Sequence, residues 1–361
     1  MSATMRAAVV FEPGGPFTVR DDVVRRDPGP DEAVVRIRAA GLCHTDLSLA
    51  RGDFGQPLPA VLGHEGAGEV IAVGADVTDV RVGDRVVLSW VPACGHCSAC
   101  RAGQPYICRN RPRSADQGAA LSVGDTPVVA GMGTATLATE TVVPARSLMP
   151  LPDDVPFEVG ALLGCAVPTG FGAAVDTAGV RPGETVLVIG AGAVGLNAVQ
   201  GARIAGASLI AVVDPDPARR RLAESLGSIV TAAPGERGPS TAVETGGGFD
   251  VAIDAVGVSG TIRSAWDATR RGGRVVVVGA GRADDMVSFS AQELFHEAKS
   301  ITGSFYGSSD MRVQVPRMTE LWRTGQLRLD AFLERVVPLE GLEAAAAEQR
   351  AGQVLRVIVT P

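Results

Sequence analysis

"TVLVIGAGAVGLNAV", Thr185 to Val199, decides the fold. It opens on the continuous apolar run "TVLVI", the pattern of a strand buried on both faces. Gly190, Gly192 and Gly195 follow as G-x-G-x-x-G. Glycines at these places permit a tight turn, let a pyrophosphate approach the backbone and let the next helix pack close to the strand. A helix is expected from about residue 193 to 205, its N-terminus offering free N–H groups and a positive dipole to phosphate. The motif is weak alone, but its context is complete. "LIAVVD" is the next strand, and Asp214 ends it roughly 20 residues on, where a carboxylate holds a ribose 2′-hydroxyl. That carboxylate repels a 2′-phosphate, so NAD is expected over NADP. Arg219 and Arg220 lie near enough to soften the preference.

Working outward, "PARRRLAESLG" reads as a helix. The strands "FDVAIDAVG" and "GRVVVVGAG" flank the helical "TIRSAWDATRR". Strand and helix alternating at this length give βαβ units and a parallel, doubly wound sheet. Val194 in the glycine loop, with Val256 and Gly279 at later strand ends, joins the candidate coenzyme contacts. Residues 1 to about 155 read differently. "MRAAVVFE", "FTVRDDVV", "AVVRIRAAG", "GEVIAVG" and "DRVVLS" are short Val- and Ile-rich runs broken by Gly, Pro and Asp, as in a β domain. "FEVGALLGCAVPTGFGAAVDTAG", 157–179, has helical spacing. After about residue 305 the chain ends in the helix "LEAAAAEQRA" and the strand "VLRVIVT", which suits a return to the first domain.

At 361 residues the chain has room for two domains. A net charge of −7 argues against a nucleic-acid surface. No run approaches the roughly 20 apolar residues that span a bilayer, and the first residues lack a signal-peptide core. A cytoplasmic protein is expected, in a reducing compartment where structural disulfides are rare.

The six cysteines are therefore read as metal or redox groups. "CGHCSACRAGQPYIC" puts Cys94, Cys97, Cys100 and Cys108 in one loop. A redox C-x-x-C pair wants two cysteines beside a βαβ unit, not four after a β domain. An iron–sulfur cluster is possible at such spacing. A closed tetrahedral zinc site of four thiolates fits best, and His96 inside the loop is expected to face solvent. Cys43 in "AAGLCHTDLS", His64 and Glu65 in "VLGHEGAGEV" and Cys165 in "LLGCAVPTGFG" stand apart. Two thiols and an imidazole form a donor set that leaves one zinc position open. Taken singly, each cysteine reads equally as a small core residue.

These motifs, with "GDRVV", "GC" and "TG" at 164–170 and the closing "VLRVIV", resemble the zinc-dependent medium-chain alcohol dehydrogenases over nearly the whole chain. "NAVQGARIAGA" and "GSFYGSS" resemble a bacterial branch with nicotinoprotein-type and thiol-linked members. The resemblance implies an α/β fold in which a GroES-like β-rich catalytic domain, 1–166 and 306–361, is split around a Rossmann domain, 167–305. The cysteine lobe spans 92–110, and a catalytic zinc lies in the cleft between the domains. It implies Cys43, His64 and Cys165 as catalytic zinc ligands, Glu65 as a carboxylate that approaches the metal, and Asp46 as the acid that orients the histidine. It implies Thr45 as the hydroxyl that takes the alcohol proton, Thr169 near the nicotinamide, His44 and Arg356 at the pyrophosphate, and Arg219 near the adenosine ribose. The four-cysteine lobe becomes a folding clamp.

The implied reaction is reversible hydride transfer between a primary or secondary alcohol and NAD, in a homodimer or homotetramer whose "SITGSFYG" segments pair across a two-fold axis. Two rivals remain. One is a biosynthetic reductase of an activated C=C or C=N bond with mainly structural zinc; the other is a non-catalytic NAD-binding sensor. Some residues depart from the family. Ser48 stands at the relay position where a histidine is usual, and a serine cannot store a proton near neutral pH. Trp90 keeps a pocket aromatic, whereas Gly131 and Met132 form a wall that is often bulkier. Leu137 and Glu140 replace aromatics, and the stretch 108–133 is shortened. Phe54 and Trp90 fit either a substrate pocket or ordinary core packing.

Overall fold

The computed structural model describes residues 3–111, 120–236 and 247–361. Part of the shortened stretch, 112–119, lies outside the described residues. The chain divides into two compact units. The first holds 1–165, 310–320 and 329–361, and the second holds 166–309 and 321–328. Residues 321–328, read from the sequence as part of the first domain, thus pack with the second. The buried Gln200 explains this: its Nε2 donates to the Arg328 carbonyl at 3.0 Å and its Oε1 accepts from the Arg328 N–H at 2.7 Å.

In the first unit the strands Ala3–Val10, Thr18–Arg25, Leu121–Val123, Thr126–Ala130 and Ala60–Val61 close a small barrel. A seven-stranded sheet runs Leu148–Pro150, Arg85–Leu88, Glu65–Val73, Glu32–Leu42, Val357–Thr360, Arg335–Pro338, with Glu140–Pro144 also on Glu32–Leu42. Alternate residues of Glu32–Leu42, such as Val35 and Ile37, meet Leu88, Leu342 and Val357 in one apolar cluster. The ladder between Glu32–Leu42 and Glu65–Val73 is antiparallel, with Gly41 opposite Glu65. This register carries the end of one strand, Cys43, to the start of the other, His64.

The second unit is one parallel sheet in the order Val230–Ala232, Leu209–Val213, Thr185–Ile189, Phe249–Asp254, Thr269–Val277, Ser300–Gly303. In chain order this is 3-2-1-4-5-6, the doubly wound order of dinucleotide-binding folds, whose switch point lies between strands one and four. Two elements differ from the sequence reading. The helix expected through Arg271 ends at Ala268, and Thr269–Val277 is already strand; Thr269 has extended backbone angles and is buried. The helical spacing of 157–179 conceals a break. Phe157–Leu162 is one helix and Ala166–Gly172 another, so Cys165 sits between them.

Candidate metal centre and coenzyme loop

Cys43 precedes the helix His44–Arg51, whose first turn supplies Asp46. That carboxylate is fully buried and gathers three donors. Its Oδ2 accepts from the Cys43 N–H at 3.0 Å, and its Oδ1 accepts from the Gly63 N–H at 3.0 Å and lies 2.9 Å from His64 Nδ1. A carboxylate on Nδ1 fixes the tautomer, so Nε2 is the ring atom left to bind. Trp90 meets the same ring edge to face, centroids 6.0 Å apart.

Around Nε2 the chain brings together Cys43, His64, Glu65 and Cys165, one donor atom from each, all within 4.8 Å of one another and all buried. All six cysteines are free thiols. Without a cation the cluster creates its own charge. The Cys165 thiol, which donates to Cys43, holds the Cys43 thiol well below its usual range. Burial pulls His64 down, but the negative Asp46 and Cys43 outweigh it and push the imidazole up to about 10. A divalent cation would displace both that proton and the Cys165 thiol proton, and two thiolates with an imidazole form a zinc donor set with one open position.

Glu65 is fully buried, and its Oε1 accepts from Arg356 Nη2. The resemblance sends Arg356 to a pyrophosphate. Here its buried guanidinium pairs with Glu65, because a buried carboxylate needs a counter-charge. Gly41 makes room for this pair, since a Cβ there would stand 2.2 Å from Glu65 Oε2.

The second cluster is local. The donor atoms of Cys94, Cys97, Cys100 and Cys108 also lie within 4.8 Å of one another. Two sulfur pairs measure 4.0 and 3.9 Å, close to the edge of about 3.8 Å expected for a tetrahedron of thiolates on zinc. Backbone N–H groups aim at the sulfurs, Cys94 to Cys108 at 3.3 Å, Cys97 to Cys94 at 3.3 Å and Cys100 to Cys97 at 3.5 Å. Such donors draw Cys97 down to about 6, while burial pushes Cys100 up to about 12. Without a cation the four cannot all ionise, so the donor chemistry fits a divalent, thiophilic metal. His96 is exposed and turned away, its Nδ1 2.8 Å from the Cys94 carbonyl oxygen and its Nε2 3.3 Å from Asn110.

In the second unit Gly190 takes φ +92 and Gly195 packs so closely that a Cβ would fall 1.8 Å from the Gly190 carbonyl. Gly192 caps the helix Ala193–Ile204, and Val194 is half-buried in its first turn. Asp214 is 4% exposed, and its oxygens accept from the Ala191 N–H at 2.7 Å and the Asp216 N–H at 2.8 Å. Each oxygen keeps a second lone pair for a ligand hydroxyl. Val256 and Gly279 join this loop: a Cβ on Gly190 would meet Val256 Cγ2 at 2.7 Å, and one on Gly279 would meet the Gly257 N at 2.3 Å. Arg219 lies 3.6 Å from Asp216, and Arg220 donates to the Asp214 carbonyl at 2.6 Å. Thr169 is buried in Ala166–Gly172.

The remaining expected residues are less gathered. His44 is exposed and Thr45 half-buried on the helix after Cys43, and Phe54 is 43% exposed. Gly131 is buried against Leu62, and Met132 packs on the apolar cluster of the first unit. The sequence reading missed Arg51, whose Nη2 donates to Ser48 Oγ at 3.0 Å. Helical spacing was the available signal, because residues three apart share a face.

Two family models match the chain. Alcohol dehydrogenase GroES-like domain covers residues 29–153 and zinc-binding dehydrogenase covers 193–321. Geraniol dehydrogenase of Castellaniella defragrans is 35% identical over 98% of this chain and 97% of its own. The chain belongs to the zinc-dependent medium-chain dehydrogenase family. Solved structures agree with this membership. Benzyl alcohol dehydrogenase of Acinetobacter calcoaceticus matches with a TM-score of 0.91 at 31% identity, over 99% of both chains. A Sinorhizobium meliloti 1021 protein named for a zinc-binding dehydrogenase, bound to NADP, matches with a TM-score of 0.79 at 27% identity, over 99% of this chain and 100% of its own. This medium-chain dehydrogenase is thus an oxidoreductase of the alcohol dehydrogenase type, of a family that uses zinc and a nicotinamide coenzyme. No helix among its described residues is long and apolar enough to cross a membrane.

Proposed function

We propose that the chain is an NAD-linked alcohol dehydrogenase with one catalytic and one structural zinc. The observation that carries the reading is the buried convergence of Cys43, His64 and Cys165, with Asp46 on the far side of the imidazole. Cys43 Sγ, His64 Nε2 and Cys165 Sγ hold the catalytic ion, and Glu65 stands by as an exchangeable carboxylate. Cys94, Cys97, Cys100 and Cys108 hold the structural ion, which has no open position for chemistry. When bound, zinc supplies Lewis acidity toward the alcohol oxygen, and the nicotinamide supplies the hydride acceptor. Thr45 Oγ1 takes the alcohol proton and passes it to the coenzyme ribose or to Ser48 Oγ, from which water takes it. Trp90, Phe54, Gly131 and Met132 shape the alcohol side, and Thr169 contacts the nicotinamide.

Gly190, Gly192 and Gly195 cradle the pyrophosphate, assisted by His44, and Val194, Val256 and Gly279 line the coenzyme. The preference for NAD rests on Asp214, whose carboxylate opposes a 2′-phosphate. Arg219 already has a carboxylate partner in Asp216, 3.6 Å away. The substrate is a primary or secondary alcohol or the matching carbonyl. Six free thiols suit a reducing cytoplasm. The edge strand Ser300–Gly303 is exposed along its whole length and supports a homodimer or homotetramer built by edge pairing.

The test is an alcohol and aldehyde panel, including benzyl alcohol and geraniol, run with NAD, with NADP and with no added coenzyme. NADH formation with NAD well above NADPH formation with NADP is expected. Zinc-loaded protein that turns over no alcohol or carbonyl would refute the proposal.

A further inference from the structure

We propose that Arg51 is a positioning residue that orients Ser48 as the outer step of proton release, an inference that rests on the Ser48 branch of the relay just described. Ser48 is 8% exposed, and its Oγ accepts from Arg51 Nη2 at 3.0 Å. Asp53 holds the guanidinium from the other side, its Oδ2 accepting from Arg51 Nε at 3.1 Å and Nη2 at 2.9 Å. His44, Ser48 and Arg51 fall at i, i+4 and i+7 on the helix, so one face carries all three.

The chemistry follows from counting lone pairs. A serine hydroxyl has one proton to give and two lone pairs to accept with. Arg51 occupies one lone pair. The other is left for a proton arriving from Thr45, and the hydroxyl proton is left to leave toward water. As the new O–H bond forms on the inner side, the old one breaks on the outer side. Solvent takes the proton and Oγ ends as a neutral hydroxyl. A guanidinium accepts no hydrogen bond, so the outgoing proton cannot be trapped on Arg51 as it would be on a carboxylate. Asp53, the nearby carboxylate, has an oxygen committed to that guanidinium. A histidine at position 48 would store the proton; this pair conducts it instead.

The test uses wild-type enzyme and the variants Arg51→Gln, Ser48→Ala and the double variant. The probes are NAD and whichever of benzyl alcohol, geraniol and ethanol the wild type oxidises. Arg51 is half exposed, so its replacement leaves the fold standing, and thermal melting checks this. Stopped-flow measurement of the first turnover is expected to show about fivefold slower NADH formation in Arg51→Gln, the worth of one hydrogen bond. A larger solvent deuterium isotope effect is expected with it. Ser48→Ala is expected to slow the step at least as much, and adding Arg51→Gln to it to change nothing further, since the two act as one unit. The dissociation constant of NADH, read by fluorescence without turnover, is expected to stay within about twofold for Arg51→Gln, because no coenzyme contact is lost. Losses that multiply, a wild-type first-turnover rate in Arg51→Gln, or weaker NADH binding with an unchanged first turnover would each overturn the inference while leaving the proposed function intact. A wild type that oxidises none of the three alcohols would overturn both.

Discussion

Asp46 is the residue through which the candidate centre is assembled. It fixes the Cys43 backbone, the Gly63 backbone and the His64 ring at once. Partners behind a metal ligand typically carry 10–100-fold in affinity or activity. Asp46→Ala is expected to lower zinc retention at this centre and alcohol oxidation by about that factor, while zinc in the four-cysteine lobe is kept. Metal analysis after dialysis against a weak chelator, alongside kcat, checks this. At this scale the grouping of Cys43, His64, Glu65 and Cys165 was legible, because two thiols and an imidazole standing apart from the local four-cysteine loop form a zinc donor set. Arg51 on Ser48 and Arg356 on Glu65 were not. Both depend on where a long, flexible side chain comes to rest, which spacing along the chain does not encode.

Among the elements, the strand Thr185–Ile189 is anchored at its first residue, at the end away from the glycine loop. Asp250, at the start of a neighbouring strand, accepts from the Thr185 N–H at 2.7 Å, the Thr185 hydroxyl at 2.9 Å and Arg270 Nε at 2.7 Å. Burial pushes its carboxyl up, but these donors outweigh burial and hold its pKa below the ordinary 3.8. A depressed carboxyl contributes stability above its unfolded pKa and loses it as pH falls through the folded one. Wild type is therefore expected to melt higher than Asp250→Asn at neutral pH, with the gap closing as pH drops below about 3.8. A melting series from pH 7 to pH 3 reads it. The strong periodic elements were legible, above all the apolar strand before the glycine loop. The break that frees Cys165 was hidden because "LLGC" continues the helical spacing on both sides. The three-residue strand Val230–Ala232 was hidden because so short a run carries no period.

At the scale of the whole molecule, the parallel sheet ends on an exposed edge strand. Ser300–Gly303 is its last strand, with Ile301 at 39% exposure, and Leu294 and Phe295 are exposed on the preceding helix. Unpaired edges invite another chain, and a charge on the edge discourages pairing. If the proposed edge pairing holds, Ile301→Lys is expected to shift the protein toward a monomer in sedimentation or light scattering without loss of helix content. The change of texture near residue 160 lies close to Cys165, where the first unit gives way to the second. The crossing of 321–328 into the second unit was not legible in the sequence, since it depends on one side chain, Gln200, meeting a distant backbone.

The zinc content of Cys165→Ser beside wild type, measured by mass spectrometry under native conditions, tests the central claim most directly. Two ions per wild-type chain and one per variant chain are predicted, the lost ion being the one alcohol oxidation requires. A single ion in wild type, or two retained in the variant, would contradict the account.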